Sequence, residues 1–436
     1  RTRKKWVRRH RGKRLMSTGR LQASHPAYRD SSEPEWLAGL RQEALDAFNQ
    51  VGFPGPRTEA WKYSNPKHIA SVDWALGASS VLDIDGLRLS HADIELVFVN
   101  GHFSEKLSRG EAARTYTLQE AIRSGAAQGE LAQFTSESSE PFSALNLAFV
   151  QDGAWIQIEG EEDHPGVIHI LHVVNGEADN AAQIRNRIQL GRHASVEVVE
   201  SYVGLSAGSL TNAVTEVDLH DGSELVHCLW QRGPSGTKIG RVHIQQRRDS
   251  AYDGHSFWLG GGWVRNDIEV ELKEAGAACS LNGLYLLDGN QHLDNHTLID
   301  HQAPHCVSRE LYKGVLSGKS TGVYNGMVKV QQIAQKTDSE QANHNLLLSD
   351  TADINTKPEL EIYADDVKCA HGTTVGQLDA EALMYMRMRG IPKAEAVHML
   401  TQAFADELLG ELEDEDLQEV MAEQVTARLV QLKDGH

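Results

Sequence analysis

The chain has 436 residues, 24% of them charged and 40% hydrophobic, with a formal net charge of -19 at pH 7. That length exceeds one ordinary core and predicts two or three domains, while the acidic balance disfavours a nucleic-acid partner. No apolar run approaches the roughly twenty residues that cross a bilayer, so no membrane span is expected.

Arg1 to Arg14 holds nine basic residues and no acidic one. The segment has neither the apolar core of a signal peptide nor the serine content of a transit peptide, so residues 1–15 are read as an extraneous leader ahead of Met16. From Pro34 to Gln50, Trp36, Leu37, Leu40, Leu45 and Phe48 fit an amphipathic helix, which Gly52, Pro54, Gly55 and Pro56 break. A mixed stretch follows, with a strand expected over Glu95 to Asn100 and helical segments near Leu118 to Ser124 and Phe142 to Phe149. Residues 16–150 are expected to form a mixed α/β N-terminal domain.

Beyond Gly153 the texture changes to short segments that alternate with period two, among them Trp155-Ile-Gln-Ile, Ser195-Val-Glu-Val-Val, Ile268-Glu-Val-Glu-Leu and Met327-Val-Lys-Val. A refrain of a Gly or Asp turn followed by an alternating strand recurs at Gly191, Asp221, Gly289, Gly318 and Asp350, roughly thirty residues apart or multiples of that. A β-sandwich supplies short strands without requiring this refrain, so the core over 151–376 is predicted to be a parallel β-helix and the chain mainly β. After Asp379 the pattern turns helical. Val397, Leu400, Phe404 and Leu408 form one apolar stripe, and residues 377–436 read as a helical cap or docking module.

Three motifs invite a chemical reading. Gly314-Val-Leu-Ser-Gly318-Lys319-Ser320 resembles a phosphate loop but has three residues between its glycines where four are needed, and it leads into a strand. Gly204-Leu-Ser206-Ala-Gly208 matches a hydrolase nucleophile elbow, yet strand is expected after it where the elbow requires helix. His292, His296, His301, His305 and Cys306 form the densest imidazole cluster. On a strand His292 and His296 share a face, whereas His301 and His305 are expected beyond a turn, so convergence on one ion is not implied. Hydrogen-bonding histidines are the simpler reading, and a metal-dependent β-helix enzyme built on this cluster is the rival.

Cys369 and His371 are two residues apart near the end of the expected stack, where a strand aims both at one face. A soft sulfur and a borderline nitrogen make half of a site for iron, zinc or a cluster, which needs three or four donors. Asp365 and Asp366 lie upstream, and Gly372-Thr-Thr-Val-Gly376 permits another backbone to approach closely. Only four cysteines occur, Cys228, Cys279, Cys306 and Cys369, widely scattered. They argue against a disulfide framework and for a reducing, cytosolic setting.

QHLDNHTLIDHQAP at 291–304, YKGVLSGKSTGVYNGMVKV at 312–330, and QKTDSEQANHNLLLSDTADINTKPELEIYADDVKCAHGTTVGQLD at 335–379 strongly resemble the SufB/SufD family of the SUF iron–sulfur cluster assembly machinery, on its SufD side. Arg57-Thr-Glu-Ala-Trp61-Lys-Tyr63 and Asn212-Ala-Val-Thr-Glu look like further signatures. The resemblance implies a right-handed parallel β-helix flanked by helical regions. It also implies a non-enzymatic scaffold that pairs with SufB through the β-helices and binds the SufC ATPase through C-terminal helices. A nascent iron–sulfur cluster would be shared with SufB, and ATP would be bound only by SufC. His371 matches the family's assembly-site histidine and Cys369 the neighbouring cysteine, whose ligand role is less certain. When SufB is absent the chain is expected to pair with itself.

Overall fold

Alternation with period two, sustained over one short strand after another, winds the middle of the chain into a flattened parallel β-helix. The structure is a computed structural model and describes residues 20–21, 33–55, 57–80, 82–110, 115–133, 140–161, 165–176, 179–233 and 235–433; residues 1–15, read as a leader, lie outside them. The N-terminal part runs α1 (Glu35–Val51), α2 (Lys67–Ala70), β1 (Ala75–Leu76), β2 (Ile94–Val99), β3 (His102–Phe103), β4 (Thr115–Thr117), α3 (Leu118–Ser124) and α4 (Pro141–Phe149). The coil then runs β5 (Ala154–Ile158), β6 (Val167–Val174), β7 (Asn180–Leu190), β8 (Ser195–Gly204), β9 (Leu210–Leu219), β10 (Glu224–Arg232), β11 (Thr237–Gln246) and β12 (Ala251–Trp258). It continues with β13 (Trp263–Leu272), β14 (Ala278–Leu287), β15 (His292–His301), β16 (Val307–Leu316), β17 (Thr321–Val330), β18 (Asp338–Leu347), β19 (Asp353–Ile362) and β20 (Lys368–Gly376). Helices α5 (Ala380–Met388), α6 (Lys393–Leu409) and α7 (Glu415–Lys433) follow.

Odd-numbered strands from β5 to β19 stack in one sheet and even-numbered strands from β6 to β20 in the other, all parallel and in register. The odd sheet ends at β4 on one side and β19 on the other; the even sheet ends at β3 and β20. Corners before the even strands need a left-handed residue, supplied by His193, Gly222, Asp249, Gly276, His305 and Lys336 at intervals of roughly thirty residues. His305 is therefore a corner residue. The phosphate-loop and elbow look-alikes are ordinary turns: residues 317–320 join β16 to β17, and residues 205–209 join β8 to β9.

Because the register is strict, each inward position repeats on the next turn. One column reads Val196, Leu225, Tyr252, Cys279, Ser308, Ser339, Cys369; its neighbour reads Val198, His227, Gly254, Leu281, Glu310, Gln341, His371. Early turns thus have a mainly aliphatic lumen, with Ile156, Ile168, Ile170, Ile188 and Val198 all buried, and the last turns a polar one.

Each outer face carries its own helices. On the odd sheet, α1 and α4 bury Leu37, Phe48, Phe142 and Leu145 against Trp155 and Ala181, and Asn146 donates to the backbone carbonyls of Ile184 and Asn212 at 2.7 and 2.9 Å. The Arg57-to-Tyr63 signature docks on the same face. Trp61 lies over Trp263 with centroids 6.5 Å apart, the Arg265 guanidinium covers its ring at 4.1 Å, and Ser64 Oγ shares a 2.7 Å hydrogen bond with His292 Nε2.

The even sheet is covered by α6 and α7, whose Ala405, Leu408, Met421 and Val425 pack on Val199, Trp230, Phe257 and Leu284. These helices lie along the flank of the coil, so they do not cap its end. The stripe expected on α6 is rotated. Its buried residues are Ala396, Thr401, Ala405, Leu408 and Leu409, while Val397 and Leu400 stay partly open, because Lys313 reaches up to the carbonyl of Phe404 at 3.0 Å and pairs with Glu407. Among the described residues no helix is long and apolar enough to cross a membrane.

Candidate functional site

The polar end of the lumen is built rung by rung. Gln341 on β18 donates to Glu310 on β16 at 2.7 Å, and burial pushes the Glu310 carboxyl up to about 7. Asn343 donates to Tyr285 Oη at 3.1 Å, and the same hydroxyl donates to Asn345. His301, facing inward at the end of β15, shares a 2.9 Å hydrogen bond with Ser308, whose hydroxyl lies 2.8 Å from that of Ser339. Each of these groups has at least one partner on another strand of the stack, although Glu310 Oε1, Gln341 Oε1 and His301 Nδ1 have no hydrogen-bond partner among the described residues.

Cys369 and His371 stand on the next rung, in register with Ser339 and Gln341. Among the described residues no further strand stacks on β20, and His371 is exposed. Cys369 is half-buried against Val328, Val330, Ala334 and Ala364. Burial, with the Asp338 carboxylate adding to it, pushes its thiol pKa up, so the thiol is a weaker ligand than the open imidazole beside it. Thr356 on β19 and Thr373 on β20 meet across the lumen at 3.1 Å. Both β19 and β20 leave one edge of backbone donors and acceptors without a sheet neighbour. Of the upstream acids, Asp366 pairs with Lys336.

The arrangement offers one exposed imidazole, one half-buried thiol and two free strand edges at one end of the coil. That set can join another sheet and contribute a nitrogen ligand, and it falls short of holding a metal alone. The columns leading to it, including Ser339, Gln341 and Thr373, were not singled out from sequence. Counting back one repeat from His371 and Cys369 would have found the first two.

The imidazole cluster disperses. His292 is bonded to Ser64 and stacks on Trp263, His296 pairs with Asp294 at 2.9 Å, His301 faces the lumen, His305 turns a corner, and Cys306 Sγ lies 3.3 Å from the carbonyl of Glu274. A metal enzyme centred there finds no common point, and this group is not among those of the described residues whose donors converge.

Two family models match the chain: the SufBD core domain of SUF-system FeS cluster assembly over residues 172–404, and the SufBD protein N-terminal region over residues 20–163. The chain belongs to the SufBD family. Within that family it is 31% identical to the iron–sulfur cluster assembly protein SufD of Escherichia coli over 89% of this chain and 92% of that one. It is 30% identical to an iron–sulfur cluster assembly SufBD family protein of Synechocystis over 92% of each. Bacillus subtilis SufD is more distant, at 24% over 87% of this chain and 91% of its own. Membership gives the chain a role in iron–sulfur cluster assembly and agrees with the SufD-side resemblance of the segments at 291–379.

Proposed function

We propose that this chain is a non-catalytic scaffold that pairs with SufB through the open end of its β-helix and provides one side of the seam where a cluster is assembled. The observation that carries this reading is the placement of His371 beside the free edges of β19 and β20. Backbone groups on an exposed edge favour strand addition, and a partner seated there brings its own side chains within reach of His371. A thiolate from SufB supplies the strong, soft iron ligand; the neutral His371 imidazole completes coordination through a more exchangeable bond. Weaker ligation suits a scaffold that releases its product. Cys369 lines the seam and becomes a ligand only if the partner's approach eases its deprotonation. Without SufB, the same edges support self-pairing.

Residues 16–150, 151–376 and 377–436 serve as brace, core and docking module in this scheme. Helix α5 has no buried residue, and Met384, Tyr385 and Met388 on it are 64%, 58% and 76% exposed, an apolar patch suited to the SufC ATPase. ATP acts through SufC: its binding moves the helices and opens the seam, provided that ATP favours the SufC pair that pulls on them.

The test is anaerobic reconstitution of the complex co-purified with SufB and SufC, comparing wild type with His371→Ala. Cluster absorbance should form in the first and drop at least about 10-fold in the second, with ATP hydrolysis unchanged. Normal assembly in His371→Ala would leave the chain as a purely structural brace for SufB.

A further inference from the structure

Three segments far apart in sequence converge on the outer face of the even sheet: His91, just before β2; Glu197, on β8; and Asp414, just before α7. One donor atom from each, an imidazole nitrogen and two carboxylate oxygens, all lie within 4.8 Å of one another. Yet they do not satisfy one another. His91 Nε2 is 4.0 Å from Asp414 Oδ1, beyond hydrogen-bond length. That buried nitrogen and the buried Glu197 Oε1 have no hydrogen-bond partner among the described residues. Asp414 Oδ1 accepts a bond from Leu417 N at 2.6 Å, which starts α7, and keeps lone pairs to spare.

Charge makes the same point. Neither carboxylate forms an ion pair with Lys or Arg among the described residues. The other converging trio, His243, Glu269 and Glu271, differs in this respect: Arg241 lies 2.5 Å from Glu269, and Lys273 lies 3.2 Å from Glu271. Its negative charge is already balanced by the protein. At the His91 trio the missing component is a cation.

We propose that His91, Glu197 and Asp414 bind one divalent first-row transition ion, of which Zn2+ is the probe, and that the ion ties the start of α7 to β8 and to the segment before β2. One imidazole with two carboxylates suits such ions better than Mg2+ or Ca2+, which prefer all-oxygen shells. Three protein donors leave a fourth position for water. The ion would fix the C-terminal helices against the coil, a structural role independent of the seam at His371.

The experiment uses the full chain, stripped of metal and titrated with Zn2+ against a chromophoric chelator. The chain holds 21 histidines, so the site is counted by difference between variants. Wild type should bind one equivalent that His91→Ala and Glu197→Gln each lose or weaken by at least about 10-fold, whereas His371→Ala keeps it and Mg2+ does not compete. Zn2+ should also slow hydrogen exchange across α7 in wild type and leave it unchanged in His91→Ala. Glu197→Gln, which keeps side-chain shape, decides the matter if His91→Ala is misfolded by circular dichroism. Wild-type stoichiometry and affinity in a folded variant, or no saturable equivalent in wild type, overturns the proposal.

Discussion

The two ends of the β-helix are finished in opposite ways. At the first turns the outer face lies under α1 and α4 and the lumen is filled by isoleucine and valine, and as far along as β13 the odd face is still covered, by Trp61 against Trp263 and Arg265. At the last turn the inward rung is Cys369, His371, Thr373 and Val375, of which only Cys369 is even half-buried, and both sheets stop at an unpaired strand. The same repeat thus makes a closed core where it meets its own chain and, in the proposed scaffold, a recognition surface at its last described turn. On the proposed function, stability and recognition are divided along the coil.

That division can be broken by substitution. Trp61→Ala, on the covered outer face of the odd sheet, removes a buried aromatic and the ring under Arg265, and should cost about 3–5 kcal/mol in denaturant unfolding. A loss below about 1 kcal/mol would show that the clamp is ornamental. Acid should act on the buried histidines. His172, stacked between Phe98 and Tyr202, is lowered by burial to about 4, and His301 likewise to about 4. A folded-state value below the unfolded one of about 6.5 means that the unfolded chain binds more protons between the two. Their neutral-form stability is therefore complete above pH 6.5 and is lost as pH falls from 6.5 to 4, on the order of 3 kcal/mol for each. His172→Phe should flatten this slope; an unchanged pH profile assigns the acid sensitivity elsewhere.

Smaller effects are expected toward the open end. Gln341→Ala strips the buried Glu310 of a donor and should cost about 1–3 kcal/mol, an effect eased by acid because a protonated Glu310 needs the donor less. Thr373→Ala, on the exposed rung, should cost less than about 1 kcal/mol in the isolated chain. Its effect should surface only as weaker association with SufB. If Thr373→Ala unfolds the last turn, the open end is part of the core after all.

The coil was legible in sequence because its cause is local and repeated: alternation with period two, and a Gly or Asp turn recurring at Gly191, Asp221, Gly289, Gly318 and Asp350. That left-handed corners also fall on His305 and Lys336 was not legible, because those residue types do not announce a turn. Cys369 and His371 stood out for the same reason, since residues two apart on a strand share a face. What stayed hidden depends on register or on distant segments. The histidines of 292–305 look like a cluster in one dimension, yet the strand and its corner aim them at Ser64, Asp294, the lumen and solvent. His91, Glu197 and Asp414 look unrelated in sequence and meet only because β8 and α7 pack together. The apolar stripe expected on α6 shares only Leu408 with its buried face, which is completed by Ala396, Thr401, Ala405 and Leu409, because a reading that follows large apolar residues passes over small ones.

The central claim, that the free edges at the last turn are the SufB-binding surface, is tested most directly by hydrogen exchange on the full chain with and without SufB. The account predicts strong new protection of backbone amides across Asp353–Ile362 and Lys368–Gly376, with little change in the early turns from β5 to β8. Protection confined to those early turns, with β19 and β20 exchanging as in the free chain, would contradict it.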